Sequence, residues 1–302
     1  MFHVEQPVEI SPSKCPVCGH SDHLTYLELK DYFLTKEDFS LVKCNYCGLI
    51  ATNPQPKLEE IGRYYNSGNY ISHATNSISL VDRIYNLIRK RTLASKISLI
   101  KKHTNGNHLL DIGCATGVFL NYCSQHNFTV EGVEPDEKAR NYACEHFNLN
   151  VKDLNNLNNL KENSFDIITM WHVLEHVNDI NERLSVVWKL LKDDGIAIIA
   201  LPNPQSYDSL YYKEYWAAYD VPRHLYHFSQ AAFNCLAKMN HFNMIKTVPM
   251  FYDSFYISLL SEKYKNGKGS PFKAIYRGCL SNIHAMANHK NYSSLIYILK
   301  KG

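Results

Sequence analysis

Two glycines four residues apart, directly after an acidic residue, constrain the fold of this 302-residue chain more than any other feature. The apolar run 108–112 carries Asp111, and Gly113 and Gly117 follow it where a helical pattern begins. Glycine adopts positive φ readily and lets a ligand approach the backbone closely. An acid at the carboxyl end of a buried strand, followed by such a turn, is typical of a nucleotide site in a parallel α/β sheet.

The spacing of these residues indicates which kind of nucleotide the turn binds. A dinucleotide fingerprint has the form Gly-x-Gly-x-x-Gly, and its pyrophosphate lies on the amino end of the helix. This chain has Asp-x-Gly-x-x-x-Gly instead, so a carboxylate stays beside the turn. Because a carboxylate repels phosphate and attracts positive charge, the pattern favours a ligand that carries a cation.

The remainder of the chain alternates predicted strands with predicted helices. The strands lie at 108–112, 128–133, 149–152, 165–170 and 195–201, with a final pair at 243–249 and 294–300. The helices lie at 117–126, 136–147, 179–192 and 230–240. This alternation predicts an α/β fold with a doubly wound parallel sheet.

Motifs spread over a hundred residues resemble the class I S-adenosylmethionine (SAM)-dependent methyltransferases. The turn at Asp111 resembles motif I of that family, and Glu134 ends the next strand, where an acid accepts hydrogen bonds from ribose hydroxyls. The strand at 165–170 and the strand that leads into Pro202-Asn203 resemble the family's fourth and fifth strands. The resemblance implies a seven-stranded Rossmann-like methyltransferase sheet and SAM as the cofactor. It implies cofactor binding by these residues: Asp111, Gly113, Cys114, Gly117, Glu134, Pro135, Asp153 and Trp171.

Four of the nine cysteines form two Cys-x-x-Cys pairs, Cys15 with Cys18 and Cys44 with Cys47. Each pair places two thiolates on a tight turn, and two such turns complete a tetrahedral metal site. Residues 24–29 and 39–43 between the pairs read as the strands of a small N-terminal zinc ribbon. We predict zinc, and iron in a rubredoxin-like site, which uses the same ligands, is the alternative.

The order of these features divides the chain into three parts. Residues 1–56 form the N-terminal segment and the ribbon, and 57–104 form a tyrosine-rich loop and covering helices. Residues 105–302 form the SAM-binding domain, with an insertion at about 250–292 that is longer than usual for such a connection. The insertion reads as two short apolar helices, which either pack on the core or cover the substrate.

Methyl transfer from a sulfonium needs alignment of donor and acceptor, and a base where the acceptor carries a proton. Histidine is the natural base at neutral pH. His172 and His176 follow the fourth strand, and His224 follows the fifth, so these three are the predicted catalytic residues. For His172 the alternative is a structural histidine bonded to the backbone, and for His176, which is paired in sequence with Glu175, it is capping of the next helix and support of the loop. The stretch around His224 resembles a Pro-Arg-His-Leu segment of the subgroup, and we favour His224 over His227.

Four further side chains are predicted to bind the substrate. Arg223 offers a cation for an anionic substrate group, while Tyr70, Tyr215 and Trp216 offer rings that stack on a sugar or another ring. Ordinary core packing is the alternative for the aromatic residues.

A ribbon that precedes the methyltransferase motifs resembles the bacterial methyltransferases that act on nucleotide-linked deoxysugars or surface-polysaccharide intermediates. The resemblance implies C- or O-methylation of a small-molecule acceptor, a sugar or nucleotide sugar. The alternatives are an RNA methyltransferase, a quinone-type O-methyltransferase and a zinc-bearing binding protein without catalysis. The formal net charge of +3 weighs against nucleic acid as a partner.

The amino-terminal sequence lacks the pattern of a signal peptide, and no segment approaches the roughly 20 apolar residues of a membrane span. We therefore expect a cytoplasmic protein with no membrane span. The oligomeric state is left open by the sequence.

Overall fold

The computed structural model describes residues 13–57, 59–65, 80–288 and 290–302, and for 80–86 the backbone alone. The chain divides into two compact units. The first combines Met1–Ser67, Pro202–Leu236 and Asp253–Ser293, and the second combines Gly68–Leu201, Ala237–Tyr252 and Ser294–Gly302. Each unit is therefore assembled from three separate segments of the chain.

The described residues form eleven strands and eight α-helices, all numbered in chain order. The strands are β1 (His23–Lys30), β2 (Asp38–Cys44), β3 (Ile50–Asn53), β4 (His108–Ile112), β5 (Thr129–Val133), β6 (Val151–Lys152), β7 (Phe165–Trp171), β8 (Leu191–Pro202), β9 (Tyr226–His227), β10 (Phe242–Pro249) and β11 (Ser294–Lys301). The helices are α1 (Leu80–Lys101), α2 (Val118–Ser124), α3 (Glu137–Phe147), α4 (Ile180–Leu190), α5 (Tyr207–Tyr212), α6 (Gln230–Met239), α7 (Asp253–Asn266) and α8 (Pro271–Ala287). Short 3-10 turns join several of them, including Leu174–His176 and Ala217–Tyr219.

The first unit contains a four-stranded antiparallel sheet in the order β1-β2-β3-β9. The predicted ribbon strands are the β1–β2 hairpin. The sequence did not predict the pairing of β3 with β9, in which Ile50 lies opposite His227 and Ala51 opposite Tyr226. The loop that carries the Pro-Arg-His-Leu segment is thereby joined to the ribbon.

The second unit contains a seven-stranded sheet in the order β10-β11-β8-β7-β4-β5-β6. Strands β4 to β8 pair in parallel, and β10 pairs with β11 in antiparallel orientation. This sheet confirms the predicted Rossmann-like methyltransferase fold. The chain leaves β4 for β5 on one side and later adds β7 on the other, which makes the carboxyl end of β4 the switch point where such sheets bind ligands.

Each unit has a hydrophobic core of its own. The core of the second unit is aliphatic and centres on strand residues such as Leu109, Ile167 and Ile198, all fully buried. Burial on both faces of the sheet explains why these strands read as continuous apolar runs. The core of the first unit is aromatic and includes Trp216 and Tyr219.

The insertion predicted at about 250–292 forms the two helices α7 and α8, with Gly267 at φ +72° between them. Both helices belong to the first unit. Within that unit the side chain of Ser281 on α8 donates a 2.6 Å hydrogen bond to the buried carboxylate of Asp208. Among the described residues, none of the helices is both long enough and apolar enough to cross a membrane.

Candidate active site and metal centre

The glycine turn joins β4 to α2 in the second unit. Gly113 and Gly117 have φ of +72° and +75°, which side chains other than glycine rarely adopt. A Cβ on Gly113 would lie 2.6 Å from Val173 Cγ2, and one on Gly117 would lie 2.8 Å from Ala143 Cβ. The two glycines are therefore required both by backbone conformation and by the close packing of the turn.

Glu134 follows β5, and its carboxylate reaches the glycine turn. One oxygen accepts a 2.8 Å hydrogen bond from the backbone N–H of Ala115, and the other accepts a 2.9 Å bond from the N–H of Asp136. Burial raises the pKa of Glu134, although these two amides oppose the shift. The acid that the sequence identified thus stands beside the turn with a fixed orientation.

Asp111 lies near the end of β4 and is almost fully buried. The hydroxyl of Thr169 on β7 donates a 2.5 Å hydrogen bond to its carboxylate. Burial raises the pKa of Asp111 to about 7, and Glu134 adds to the shift, while Thr169 and the nearby Lys96 act against it. A carboxylate that is costly to ionise in this way is stabilised by any positively charged group that binds beside it.

Arg140 on α3 organises the segment after Glu134, and sequence reasoning missed it. Its guanidinium donates to the carbonyl oxygens of Glu134 and Pro135 at 2.7 and 3.1 Å. It also pairs with the carboxylate of Asp153 at 3.2 Å, which in turn accepts from the N–H of Asn155. The structure therefore brings three predicted cofactor residues together. A basic residue one turn into the helix after the strand-end acid was the available signal.

Trp171 ends β7, and its indole ring contacts a lysine. The Lys96 ammonium lies 3.8 Å from the ring centroid, and Phe119 packs edge-on against the same ring. The indole N–H of Trp171 is buried and has no acceptor among the residues that the structure describes. This N–H lies at the end of β7, next to the strand that leads into the glycine turn. A buried donor in that position fits a site that binds a polar ligand.

Cys114, also predicted to bind the cofactor, points its side chain into the core of the second unit. A Cβ on Gly132 of β5 would lie 2.8 Å from its sulfur. Burial raises the pKa of the Cys114 thiol, which stays neutral. The contribution of Cys114 to the turn is therefore through its backbone.

Two of the predicted catalytic histidines follow β7. His172 has φ of +57°, its N–H donates to the carbonyl of Ala200, and its Nδ1 lies 3.4 Å from the buried carboxylate of Glu175. His176 ends the 3-10 turn that follows and is partly exposed. A left-handed conformation at a residue with a bulky side chain is strained, and such strain is concentrated at functional sites.

His224, the third predicted catalytic histidine, is largely buried in the first unit. Its Nδ1 lies 2.9 Å from the carbonyl oxygen of Ala218, and its own carbonyl accepts a 2.6 Å bond from the Thr52 hydroxyl. Because a carbonyl accepts only, Nδ1 must carry the proton, and Nε2 is the basic nitrogen. The neighbouring His227 is fully buried, and burial lowers its pKa well below the usual value, so it stays neutral.

Arg223 was predicted to bind an anionic substrate group, and the structure places it differently. It is 2% exposed, pairs with Asp31 and Asp220 at 2.9 and 2.7 Å, and donates to the carbonyl of Tyr64. The geometry favours a structural role for this guanidinium. The signal was not local, because Asp31 lies 192 residues away in sequence.

The predicted aromatic substrate residues have different surroundings. Trp216 is buried in the core of the first unit and donates its indole N–H to Asp208 at 2.8 Å. Tyr215 is partly exposed and packs against Tyr32, with 5.1 Å between ring centroids. Tyr70 lies outside the described residues. Of the two described residues, Tyr215 keeps the accessibility that a substrate contact requires.

The four predicted metal ligands converge in the first unit. The sulfur atoms of Cys15, Cys18, Cys44 and Cys47 all lie within 4.8 Å of one another, with 3.4 Å from Cys15 to Cys47 and from Cys18 to Cys44. Tetrahedral zinc at about 2.3 Å from each sulfur separates the sulfurs by roughly 3.8 Å. The hydrogen bond from Cys47 lowers the pKa of the Cys15 thiol, which favours the thiolate form that binds metal. The cluster therefore fits a four-thiolate metal ion.

A groove of about 460 Å³ borders the second cysteine turn within the first unit. Its lining contains the rings of Tyr26 and Tyr46, the side chains of Lys43 and Gln205, and the hydroxyl of Ser229. Among the residues that the structure describes, no acidic side chain belongs to that lining. Rings, amide and hydroxyl groups and one cation suit a polar, ring-containing ligand with negative charge.

The fold and the site define a class I methyltransferase domain. A family model described as a methyltransferase domain matches residues 85–247, which are 163 of the 302 residues. The chain belongs to this methyltransferase-domain family. The predicted class of SAM-dependent methyltransferase is thereby confirmed for the domain.

The curated relatives include ubiquinone biosynthesis O-methyltransferases. That of Coxiella burnetii is 29% identical over 119 residues, which are 37% of this chain and 48% of the relative. That of Haemophilus ducreyi is 33% identical over 110 residues, 32% of this chain and 46% of the relative. The chain thus spans about half the length of the curated relatives it matches.

Solved structures agree on the fold. Geranyl diphosphate methyltransferase in complex with SAM gives a TM-score of 0.53 at 12% identity and covers 78% of this chain and 92% of its own. A SAM-dependent methyltransferase of Thermotoga maritima gives 0.50 at 18% identity, with 73% and 97% covered. At such identities the likeness describes the fold alone.

Proposed function

We propose that this protein transfers a methyl group from SAM to a carbon or oxygen of a sugar or nucleotide-linked sugar. The assignment of SAM as the methyl donor rests on the carboxylate of Glu134. A 2.8 Å hydrogen bond from the N–H of Ala115 holds this carboxylate beside the glycine turn. A carboxylate held there is positioned to accept hydrogen bonds from two ribose hydroxyls. SAM, when bound, supplies an electrophilic methyl group on a positively charged sulfur.

The other acids in the second unit extend the cofactor site along the ends of neighbouring strands. Asp111 stabilises the positive charge of SAM, because its buried carboxylate has little compensation within the protein beyond Thr169 and Lys96. Asp153, held by Arg140 after β6, binds the adenosine beyond the ribose. Trp171 supplies a buried indole N–H beside them. These assignments retain the predicted cofactor residues and add Arg140 as their support.

His224 acts as the base that removes the acceptor proton. The bond from its Nδ1 to the Ala218 carbonyl fixes the tautomer, so Nε2 is the nitrogen that accepts the proton. Base catalysis by a positioned histidine typically contributes about 10²–10⁴-fold to the rate. His172 and His176 stay as the alternative candidates for the base, and His227 is structural because it is neutral and fully buried.

The acceptor class is supported by the groove beside the second cysteine turn. Rings of Tyr26 and Tyr46 stack on a base or sugar, Gln205 and Ser229 bond hydroxyls, and Lys43 pairs with a phosphate. We assign the nucleotide portion of a nucleotide sugar to this groove. The four cysteines hold a structural zinc ion that fixes the wall of the groove, since Cys44 and Cys47 belong to its lining.

The test is methyl transfer from labelled SAM to a panel of nucleotide sugars by the purified, zinc-loaded protein. We expect His224→Gln to lower turnover on the best acceptor about 10²-fold or more and to leave SAM affinity within about threefold. His172→Gln serves as the comparison, since it removes the alternative base. Undiminished turnover in His224→Gln, with loss in His172→Gln, would move the base to His172.

A second candidate acceptor is a quinone-type phenol, and the curated ubiquinone O-methyltransferases favour it. The same assay includes a polyprenylated catechol beside the nucleotide sugars. Lys43→Ala distinguishes the two acceptors, because it should weaken the binding of a nucleotide sugar about tenfold and leave the binding of the uncharged phenol unchanged. Turnover of the phenol alone would overturn the sugar assignment and retain methyl transfer.

A further inference from the structure

We infer that Asp31, in the turn between β1 and β2, is a positioning residue that sets the orientation of the His224 imidazole. The importance of that orientation for catalysis rests on the proposed function. The orientation itself is a property of the first unit and is measured without a substrate. Asp31 and His224 are linked through Arg223 and Asp220.

The carboxylate of Asp31 is 1% exposed and organises the turn that contains it. It accepts hydrogen bonds from the N–H groups of Phe33, Leu34 and Thr35 at 2.8 to 3.1 Å, and one from the Thr35 hydroxyl at 3.0 Å. Burial alone would raise the pKa of Asp31, but Arg223 and the turn amides hold it below its usual value. Asp31 is therefore a charged anchor fixed to the ribbon hairpin.

Arg223 connects this anchor to the segment that precedes His224. Its guanidinium contacts both oxygens of Asp31, at 2.9 and 3.4 Å, and both oxygens of Asp220, at 2.7 and 3.0 Å. The guanidinium also donates a 3.0 Å hydrogen bond to the carbonyl oxygen of Tyr64. A planar guanidinium that bridges two carboxylates fixes their relative position, which a single ammonium could not do.

Asp220 transmits this constraint to His224. It has φ of +38°, a left-handed conformation that is costly for a residue with a side chain and that persists when its surroundings hold it. Its carbonyl accepts the His224 N–H at 3.1 Å, and Ala218, two residues before it, provides the carbonyl that binds Nδ1. The backbone that selects the imidazole tautomer is thus held in place by Arg223.

Removal of the Asp31 charge breaks the guanidinium bridge between the hairpin and Asp220, while the pairing of β3 with β9 still joins the His224 segment to the sheet. The Ala218 carbonyl is then held less firmly relative to the imidazole, and the ring populates the second neutral tautomer to a larger extent. Asp31 contacts neither His224 nor the groove, since it is absent from the groove lining. Its effect is therefore on orientation and not on binding.

The test is nitrogen-15 NMR of histidine-labelled, zinc-loaded full-length protein at about pH 8, where ring nitrogens report the neutral tautomer. His224→Gln identifies the His224 signals. In the unaltered protein we expect Nδ1 protonated and Nε2 unprotonated, with widely separated shifts. In Asp31→Asn we expect the two shifts to move toward each other. The control is Asp38→Asn in the same hairpin, an exposed acid paired with Lys30, which should leave them unchanged.

A second variant protects the test against misfolding. Arg223→Lys keeps a buried positive charge but cannot bridge both carboxylates, so it should give the same averaging. Zinc content of one ion per chain shows that a variant has kept the ribbon. Unchanged His224 shifts in a zinc-retaining Asp31→Asn, or in Arg223→Lys if the first variant loses zinc, would overturn the inference. If the His224 shifts average in Asp31→Asn while His224→Gln keeps normal turnover, Asp31 positions the imidazole but His224 is not the base.

Discussion

The N–H of Ala115 donates a 2.8 Å hydrogen bond to the carboxylate of Glu134, and the two residues lie nineteen positions apart, in the segments that follow the neighbouring parallel strands β4 and β5. The bond couples the conformation of the glycine turn to the acid that we assign to the ribose. Ala115 itself has φ of +48°, so the turn presents this N–H in a left-handed conformation. A change at either residue is therefore expected to disturb both halves of the site.

The affinity for SAM should depend on pH through Asp111. Burial raises the pKa of Asp111 to about 7, and a bound cation favours the ionised form. The dissociation constant for SAM should therefore rise as the pH falls through about 7, approaching a tenfold change per pH unit. Calorimetry across this range measures it. Asp111→Asn should bind SAM more weakly and without that dependence; an equal slope in the variant would assign the titration to another group.

The same carboxyl should oppose folding of the ligand-free protein at high pH. Its pKa is raised in the folded state, so its contribution to stability is fully present below its ordinary value and is lost as the pH rises through about 7. We expect Asp111→Asn to raise the melting temperature by a few degrees at about pH 8 and to leave it unchanged near pH 4. Scanning calorimetry at both values decides this, and a lower melting temperature at the higher pH would contradict it.

Gly117→Ala should destabilise the protein by about 2–3 kcal/mol, because it adds a clash to backbone strain. Its Cβ would lie 2.8 Å from both Ala143 and Leu149 at a φ of +75°. Gly267→Ala is the matched control, since Gly267 has φ of +72° with no atom within 4 Å of the added Cβ, and should cost about 1 kcal/mol. Denaturant unfolding of both variants measures the difference, and equal losses would show that packing at Gly117 is unimportant.

Cys15→Ser should abolish stoichiometric zinc and lower the thermal stability of the first unit. Three thiolates do not complete the tetrahedral site that structural zinc requires. Affinity for SAM should change by less than about twofold, because the cofactor residues belong to the second unit with its own core. Metal analysis by mass spectrometry, with the exposed Cys279→Ser as control, reports the metal and distinguishes zinc from iron. One metal ion per chain in Cys15→Ser would contradict the four-cysteine site.

The parallel strands and the positions of the acids at their ends could be predicted from the sequence because their signals are local. Buried strands read as apolar runs, and β4 begins and ends where its run predicts. Asp111 and Glu134 stand at strand ends, and parallel strands bring such ends to one edge of the sheet. The two helices of the insertion could also be predicted from the sequence, because Gly267 and the following residues separate two helical patterns.

The features that the sequence did not reveal depend on contacts between distant segments. Strand β9 has two residues and pairs with a strand more than 170 positions earlier, which leaves no periodic signal. Arg223 resembles a surface cation in sequence, and only its burial against Asp31 indicates a structural role. The tautomer of His224 likewise depends on one backbone carbonyl, that of Ala218, which lies 2.9 Å from Nδ1 only in the folded chain.

The most direct test of the account is a calorimetric titration of the zinc-loaded protein with SAM, in parallel with Glu134→Gln and the control Glu131→Gln. Glu131 lies on β5, the strand that Glu134 follows, and pairs with His108 and Lys152. We predict one SAM per chain, at least about tenfold weaker binding in Glu134→Gln, and unchanged binding in Glu131→Gln. Absence of SAM binding by the unaltered protein, or equal affinity in all three, would contradict the proposed site.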